Sequence, residues 1–111
     1  MSQVTSHILD TTRGQPAPGV RVILYELQGE DWIEIGTDLT NEGGRVFLLK
    51  GDMILQTGTY KMRFLTREYF ERLGVSAFYP FIEITFVITG QEHYHIPLLL
   101  NPFGYTTYRG S

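Results

Sequence analysis

PFIEITFVITGQEHYHIPLLLNPFGYTTY, residues 80–108, holds three apolar runs separated by turn residues. PFIEITFVI (80–88) opens with Pro80, and proline is tolerated at the first position of a strand. Thr89-Gly90-Gln91-Glu92 turns the chain into HYHIPLLL (93–100). Asn101-Pro102 breaks that run, and FGYTTY (103–108) supplies a last strand. In the middle run, alternation puts Tyr94, Ile96 and Leu98 on one face and His93 and His95 on the other. The first face reads as core, so the histidines point outward.

The same period of two runs back along the chain. VTSHIL (4–9), VRVILYEL (20–27), WIEIGTDL (32–39) and TYKMRFL (59–65) all read as strands, and Arg45–Leu49 leads out of the turn Asn41-Glu42-Gly43-Gly44. The period changes once. TREYFERL (66–73) has Thr66 where an N-cap belongs, with Phe70 and Leu73 at helical spacing, and is predicted to form one short helix. Seven or eight short strands with one helix imply an all-β, antiparallel sandwich. With 111 residues and no linker or repeat, one domain over 1–111 is expected.

Composition narrows the function classes. A formal charge of -3, with basic and acidic residues well mixed, lacks the basic stripe of a nucleic-acid binder. No apolar stretch approaches the ~18 residues of a membrane span. MSQVTSHILD lacks the basic and apolar regions of a secretory signal, so a soluble cytoplasmic protein is the expectation. The absence of cysteine removes disulfides, thiol catalysis and cysteine-ligated metals together.

Histidine is the natural proton carrier near neutral pH, with an ordinary pKa of about 6.5. His7, His93 and His95 all fall in predicted strands. The His-x-His spacing would also suit two imidazoles on one zinc, with His7 as a third ligand, but no HExxH motif or cysteine pair supports a metal. Ser6, His7 and Asp10 do not form a triad, because neighbours in a strand face opposite ways. Arg45 follows two glycines. It reads equally as a solvated side chain or as a planar donor fork for a ligand's oxygens. Leu99, on the histidine face, suggests that this face is covered by another subunit. A cleft lined by His, Arg and Tyr between subunits would take a small polar ligand.

Three segments together resemble the transthyretin-related family, and within it the 5-hydroxyisourate hydrolases. They are SHILDTTRGQPAPGVRVILYEL at the start, TNEGGR in the middle and HYHIPLLLNPFGYTTYRGS at the end. The first is shared by many prealbumin-like sandwiches and speaks for the fold. The closing His-Tyr-His-Ile-Pro-Leu-Leu-Leu and Tyr-Arg-Gly-Ser are specific to the hydrolases, whereas transthyretin, the hormone carrier, lacks them. Gly43, Asn101 and Thr106 depart from the commoner family residues. The resemblance implies a transthyretin-like sandwich that opens 5-hydroxyisourate without a cofactor or metal, giving 2-oxo-4-hydroxy-4-carboxy-5-ureidoimidazoline between urate and allantoin. It implies a homotetramer, a dimer of dimers, with sites where the dimers meet.

The same resemblance assigns catalytic parts to His7, Arg45, His95 and Ser111. It assigns substrate contacts to His7, Arg45, Tyr108, Arg109 and Gly110. His7 and His95 would flank a water, and Arg45 would hold substrate oxygens. Ser111, by hydroxyl or carboxylate, would close the site. His93 is read as structural or supporting.

Overall fold

Alternating burial sorts the strands into two layers. Residues 2–111 are described in a computed structural model, and among them lie nine strands and one helix. The elements are β1 (Val4–Asp10), β2 (Gln15–Pro16), β3 (Arg21–Gln28), β4 (Asp31–Leu39), β5 (Arg45–Phe47), β6 (Gly58–Phe64), α1 (Thr66–Arg72), β7 (Ile82–Ile88), β8 (Tyr94–Asn101) and β9 (Gly104–Thr107). One sheet runs β4-β3-β6-β7, every pair antiparallel. The other runs β2-β1-β8-β9, with β5 also paired to β1.

Val4, Ile8, Val46, Tyr94, Ile96, Leu98 and Leu100 of the second sheet meet Val22, Leu24, Tyr60, Met62, Phe64, Ile82 and Ile88 of the first. Each fully buried aliphatic or aromatic side chain of this kind contributes about 1.5–3 kcal/mol. The sandwich with one helix thus stands as expected, with three differences of detail.

First, β1 and β8 are parallel, in register from Val4↔Tyr94 to Asp10↔Leu100. A parallel pair needs a crossover, and here the whole other sheet is threaded between them. Second, the strand count exceeds the expected seven or eight because the two-residue β2 pairs with Leu9 and Asp10. Pro80 also lies before β7 rather than at its first position, and His93 lies one residue before β8. Third, Thr66 is not the N-cap. Leu65 holds that position without a side-chain hydrogen bond, and Thr66 is buried as the first helical residue. β6 runs almost directly into α1, leaving no turn residue to cap it.

The helix ends on Gly74 at φ 72°, whose N–H donates to the Glu71 carbonyl at 3.0 Å. It is pinned to β1 by Tyr69, whose hydroxyl donates to buried Asp10 Oδ2 at 2.7 Å. Asp10 Oδ1 accepts from the Thr12 and Arg13 amides, so one carboxylate ties the strand end, the following turn and the helix. No helix among the described residues is long and apolar enough to cross a membrane.

Candidate active site

The parallel β1–β8 pair brings the first and last thirds of the chain side by side. Register Thr5↔His95 and His7↔Pro97 puts these four residues on the outer face of the sheet, with Val4, Ile8, Tyr94, Ile96 and Leu98 beneath in the core. Ser6 faces inward and donates its hydroxyl to the Ile96 carbonyl at 2.5 Å, so it is unavailable to His7. Thr5, buried on this face, stands within hydrogen-bond distance of two imidazoles. Its Oγ1 lies 2.7 Å from His93 Nε2 and 2.8 Å from His95 Nδ1. The two rings stack with centroids 6.0 Å apart. Gln3 steadies the loop that carries His93, donating from its amide to the carbonyls of Gly90 and Glu92.

Arg45 is placed by the turn before it. Asn41 Oδ1 accepts from the amides of Gly43 and Arg45 at 2.9 and 3.0 Å, and the Asn41 N–H donates to the Arg45 carbonyl at 2.9 Å. Gly44 has φ 75°, and a Cβ there would collide with the Ile8 carbonyl oxygen. Only glycine lets the turn pass this close to β1. β5 then pairs with β1 so that Arg45 stands opposite His7 and Phe47 opposite Thr5.

The tail reaches the site because of Pro97. β9 pairs with β8 through Leu98↔Thr107, and the same register resumes at the bridge His95↔Gly110. Between them Pro97 has no N–H to offer, so Tyr108 and Arg109 leave the ladder. Thr107 Oγ1 donates to the Pro97 carbonyl at 2.7 Å, and the Gly110 N–H donates to the His95 carbonyl at 2.8 Å. A Cβ on Gly110 would lie 2.6 Å from His95 Cδ2 and 3.2 Å from Pro97 Cγ. The backbone of the tail is therefore packed directly on the imidazole.

These elements enclose a pocket of about 210 Å³ lined by Thr5, Ser6, Arg45, Phe47, His93, His95 and Ser111. Of the residues singled out in the sequence, Arg45, His95 and Ser111 meet there. His7 does not line it. It sits half-buried beside it on the same face, close enough for its charge to act on His95. Tyr108 is 58% exposed on the tail. Arg109 turns away to Glu92, 3.5 Å from Oε2, with its guanidinium 4.6 Å over the Tyr94 ring. Burial pushes the His95 pKa below its ordinary value, and His93, His7 and Arg45 push it the same way. The imidazole is thus neutral at pH 7, able to take a proton at Nε2, the nitrogen that Thr5 does not occupy.

Thr5 was not legible as a site residue, although its place two positions before His7 on one strand face is a signal of the right kind. A larger groove of about 910 Å³ beside α1 shares no residue with this pocket and carries a mixed lining of Arg21, Glu42, Glu68 and Arg72. Among the described residues no cluster of three or more His, Asp or Glu could hold a metal ion.

Comparison with known proteins identifies the family. The profile of the HIUase/Transthyretin family matches residues 4–110. A 5-hydroxyisourate hydrolase of Mus musculus is 42% identical over 113 residues, covering 99% of this chain and 96% of its own. The solved 5-hydroxyisourate hydrolase of Klebsiella pneumoniae superposes with a TM-score of 0.86 at 35% identity, covering 99% of this chain and 100% of that one. Sea bream transthyretin in complex with thyroxine superposes with a TM-score of 0.88 at 28% identity, covering 97% and 94%. The backbone alone does not separate hydrolase from carrier, but the sandwich, the parallel β1–β8 pair and the match from end to end lead to one assignment: the chain belongs to the HIUase/transthyretin family.

Proposed function

We propose that the protein hydrolyses 5-hydroxyisourate to 2-oxo-4-hydroxy-4-carboxy-5-ureidoimidazoline, a step of urate degradation to allantoin, without a cofactor. The observation that carries this reading is the convergence of neutral His95, Arg45 and Ser111 on one small pocket, in a chain 42% identical to a hydrolase. Water has to lose a proton as it attacks the ring carbonyl. His95 is the base, because burial disfavours its charged form and Thr5 engages Nδ1, which leaves Nε2 for the water. His7, on the same face, orients the water or returns a proton to the leaving ring nitrogen. Each such transfer is typically worth ~10²–10⁴-fold. The Arg45 guanidinium faces the negative charge that develops on the carbonyl oxygen. Ser111 closes the pocket; Tyr108 contacts the ligand, with Gly110 holding the tail against His95.

The pocket's volume, about 210 Å³, falls short of the ~300–1,000 Å³ usual for ligand sites. Phe47, which lines it, is 52% exposed, and Tyr108 on the neighbouring tail is exposed too. Both features support a homotetramer in which a second copy covers this face and completes the site. We place the protein in the cytoplasm, as a single domain over 1–111. The assay is the ultraviolet decay of freshly generated 5-hydroxyisourate. Acceleration that survives a chelator supports the hydrolase; a rate equal to the buffer control rejects it. The likeness to thyroxine-bound transthyretin favours one second reading, a carrier. It predicts saturable binding of an aromatic ligand with no turnover.

A further inference from the structure

Thr5 is a single hydroxyl between two imidazole nitrogens, 2.7 Å from His93 Nε2 and 2.8 Å from His95 Nδ1. A hydroxyl has one proton to donate and two lone pairs to accept with. It cannot donate to both rings. When His95 carries its proton on Nδ1, that N–H donates to Thr5, and the Thr5 proton is free to point at His93 Nε2. When His93 carries a proton on Nε2, it donates to Thr5, and the Thr5 proton turns to His95 Nδ1. The protonation of one ring therefore selects the tautomer of the other.

We propose that Thr5 is a positioning residue which relays a proton between His95 and His93, so that His93 carries the positive charge while His95 deprotonates water. This rests on the hydrolase reading above. The step balances as a chain of transfers. Water gives a proton to His95 Nε2, His95 Nδ1 gives its proton to Thr5 Oγ1, and Thr5 gives its own to His93 Nε2. The hydroxide left behind adds to the carbonyl carbon, His95 ends neutral, and His93 ends as an imidazolium. His95 is thereby converted from a base at Nε2 to a proton donor at Nε2. The ring opening needs both in one turnover.

The surroundings suit this division. His95 is partly buried and faces His93, His7 on β1 and Arg45 on β5, so a resident charge there is disfavoured. His93 is exposed, and it also lines a hollow of about 170 Å³ whose lining includes Asp52. The tail residues packed on His95 bring no cation to it, because Arg109 is turned to Glu92.

The test combines ¹⁵N spectroscopy of the histidine rings with kinetics of the full chain. In the wild type, His95 is expected to be protonated on Nδ1 at high pH and to switch to Nε2 once His93 carries a proton on Nε2. Thr5→Val should abolish the switch. Charge repulsion alone would shift resonances but leave the tautomer as it was. Thr5→Val should also lower kcat by about 10²-fold, the lower end of what a positioned acid or base contributes, with KM within about threefold and Thr5→Ser restoring most of the rate. If Thr5→Val does not fold, His93→Gln gives the same comparison. A wild-type His95 that keeps one tautomer throughout overturns the relay, whatever the kinetics. A switch with unchanged kcat in the variants overturns its part in the reaction. A wild type that does not accelerate 5-hydroxyisourate decay rejects the hydrolase instead, and the spectroscopy still decides the coupling.

Discussion

Gly110→Ala is the sharpest test of the tail as a positioning device. The added Cβ would stand 2.6 Å from His95 Cδ2, where ordinary contact begins at 3.4 Å, so restoring ordinary contact parts tail and ring by about 0.8 Å (3.4 less 2.6). Misplacing a catalytic group by about 1 Å costs on the order of 10²-fold, which is two factors of ten at 1.36 kcal/mol each, or about 2.7 kcal/mol of barrier. The cost to the fold is smaller. The single Gly110–His95 bridge is the bond at stake, worth about 0.5–1.5 kcal/mol. Stopped-flow decay of 5-hydroxyisourate alongside a denaturant titration separates the two. The expected result is a ~10²-fold loss of kcat/KM with the unfolding midpoint lowered only slightly. Gly104→Ala, where a Cβ would meet nothing nearer than 3.8 Å, is the control. Activity within about threefold of wild type, by the ~10²-fold yardstick above, would refute the claim that the tail's approach sets the position of His95.

Other outcomes follow from individual contacts. Arg45→Lys keeps the charge but loses the planar fork, and kcat/KM should fall by ~10²–10³-fold, measured in the same decay assay. Tyr69→Phe removes the hydroxyl bonded to buried Asp10 and should cost about 1.5–3 kcal/mol in urea unfolding, with activity per folded molecule unchanged. Because the folded pKa of His95 is depressed, the unfolded chain binds more protons below pH ~6.5. Stability should therefore fall as pH drops from there through the lower folded value. His95→Asn should flatten that part of the pH–stability curve. For the same reason the acid limb of kcat/KM should lie below the ordinary histidine range.

Much of the sandwich could be read from alternation, because a period of two fixes which residues face the core whatever the pairing. Tyr94, Ile96 and Leu98 are buried for the reason their spacing gives. Pairing partners are another matter. Nothing local in VTSHIL says that it lies parallel to a segment some ninety residues away. Without that fact Thr5 has no visible connection to His93 or His95. Thr66 looked like a cap by residue type, but tertiary burial claimed its side chain and the strand ran into the helix without one. Of the candidate site, Arg45, His95 and Ser111 were legible through the family's motifs. Arg109 stood out only as a member of the closing Tyr-Arg-Gly-Ser motif, and its side chain belongs to Glu92 instead.

The β1–β8 pairing also has a consequence for biosynthesis. β1 is made first, and its partner β8 emerges about ninety residues later, from Val4 to Tyr94. At about 5–20 residues per second of synthesis, β1 waits roughly 5–18 s on the ribosome before its central neighbour exists. Ile8 and Val4 lack their β8 neighbours during that wait, and closing so long a loop makes folding slow. His95 and Thr5 meet only after β8 has been translated. Any polypeptide that stops short of β8 carries His7 and Arg45 but lacks the His93, His95 and Ser111 that line the pocket, so the site is the last part of this sandwich to form.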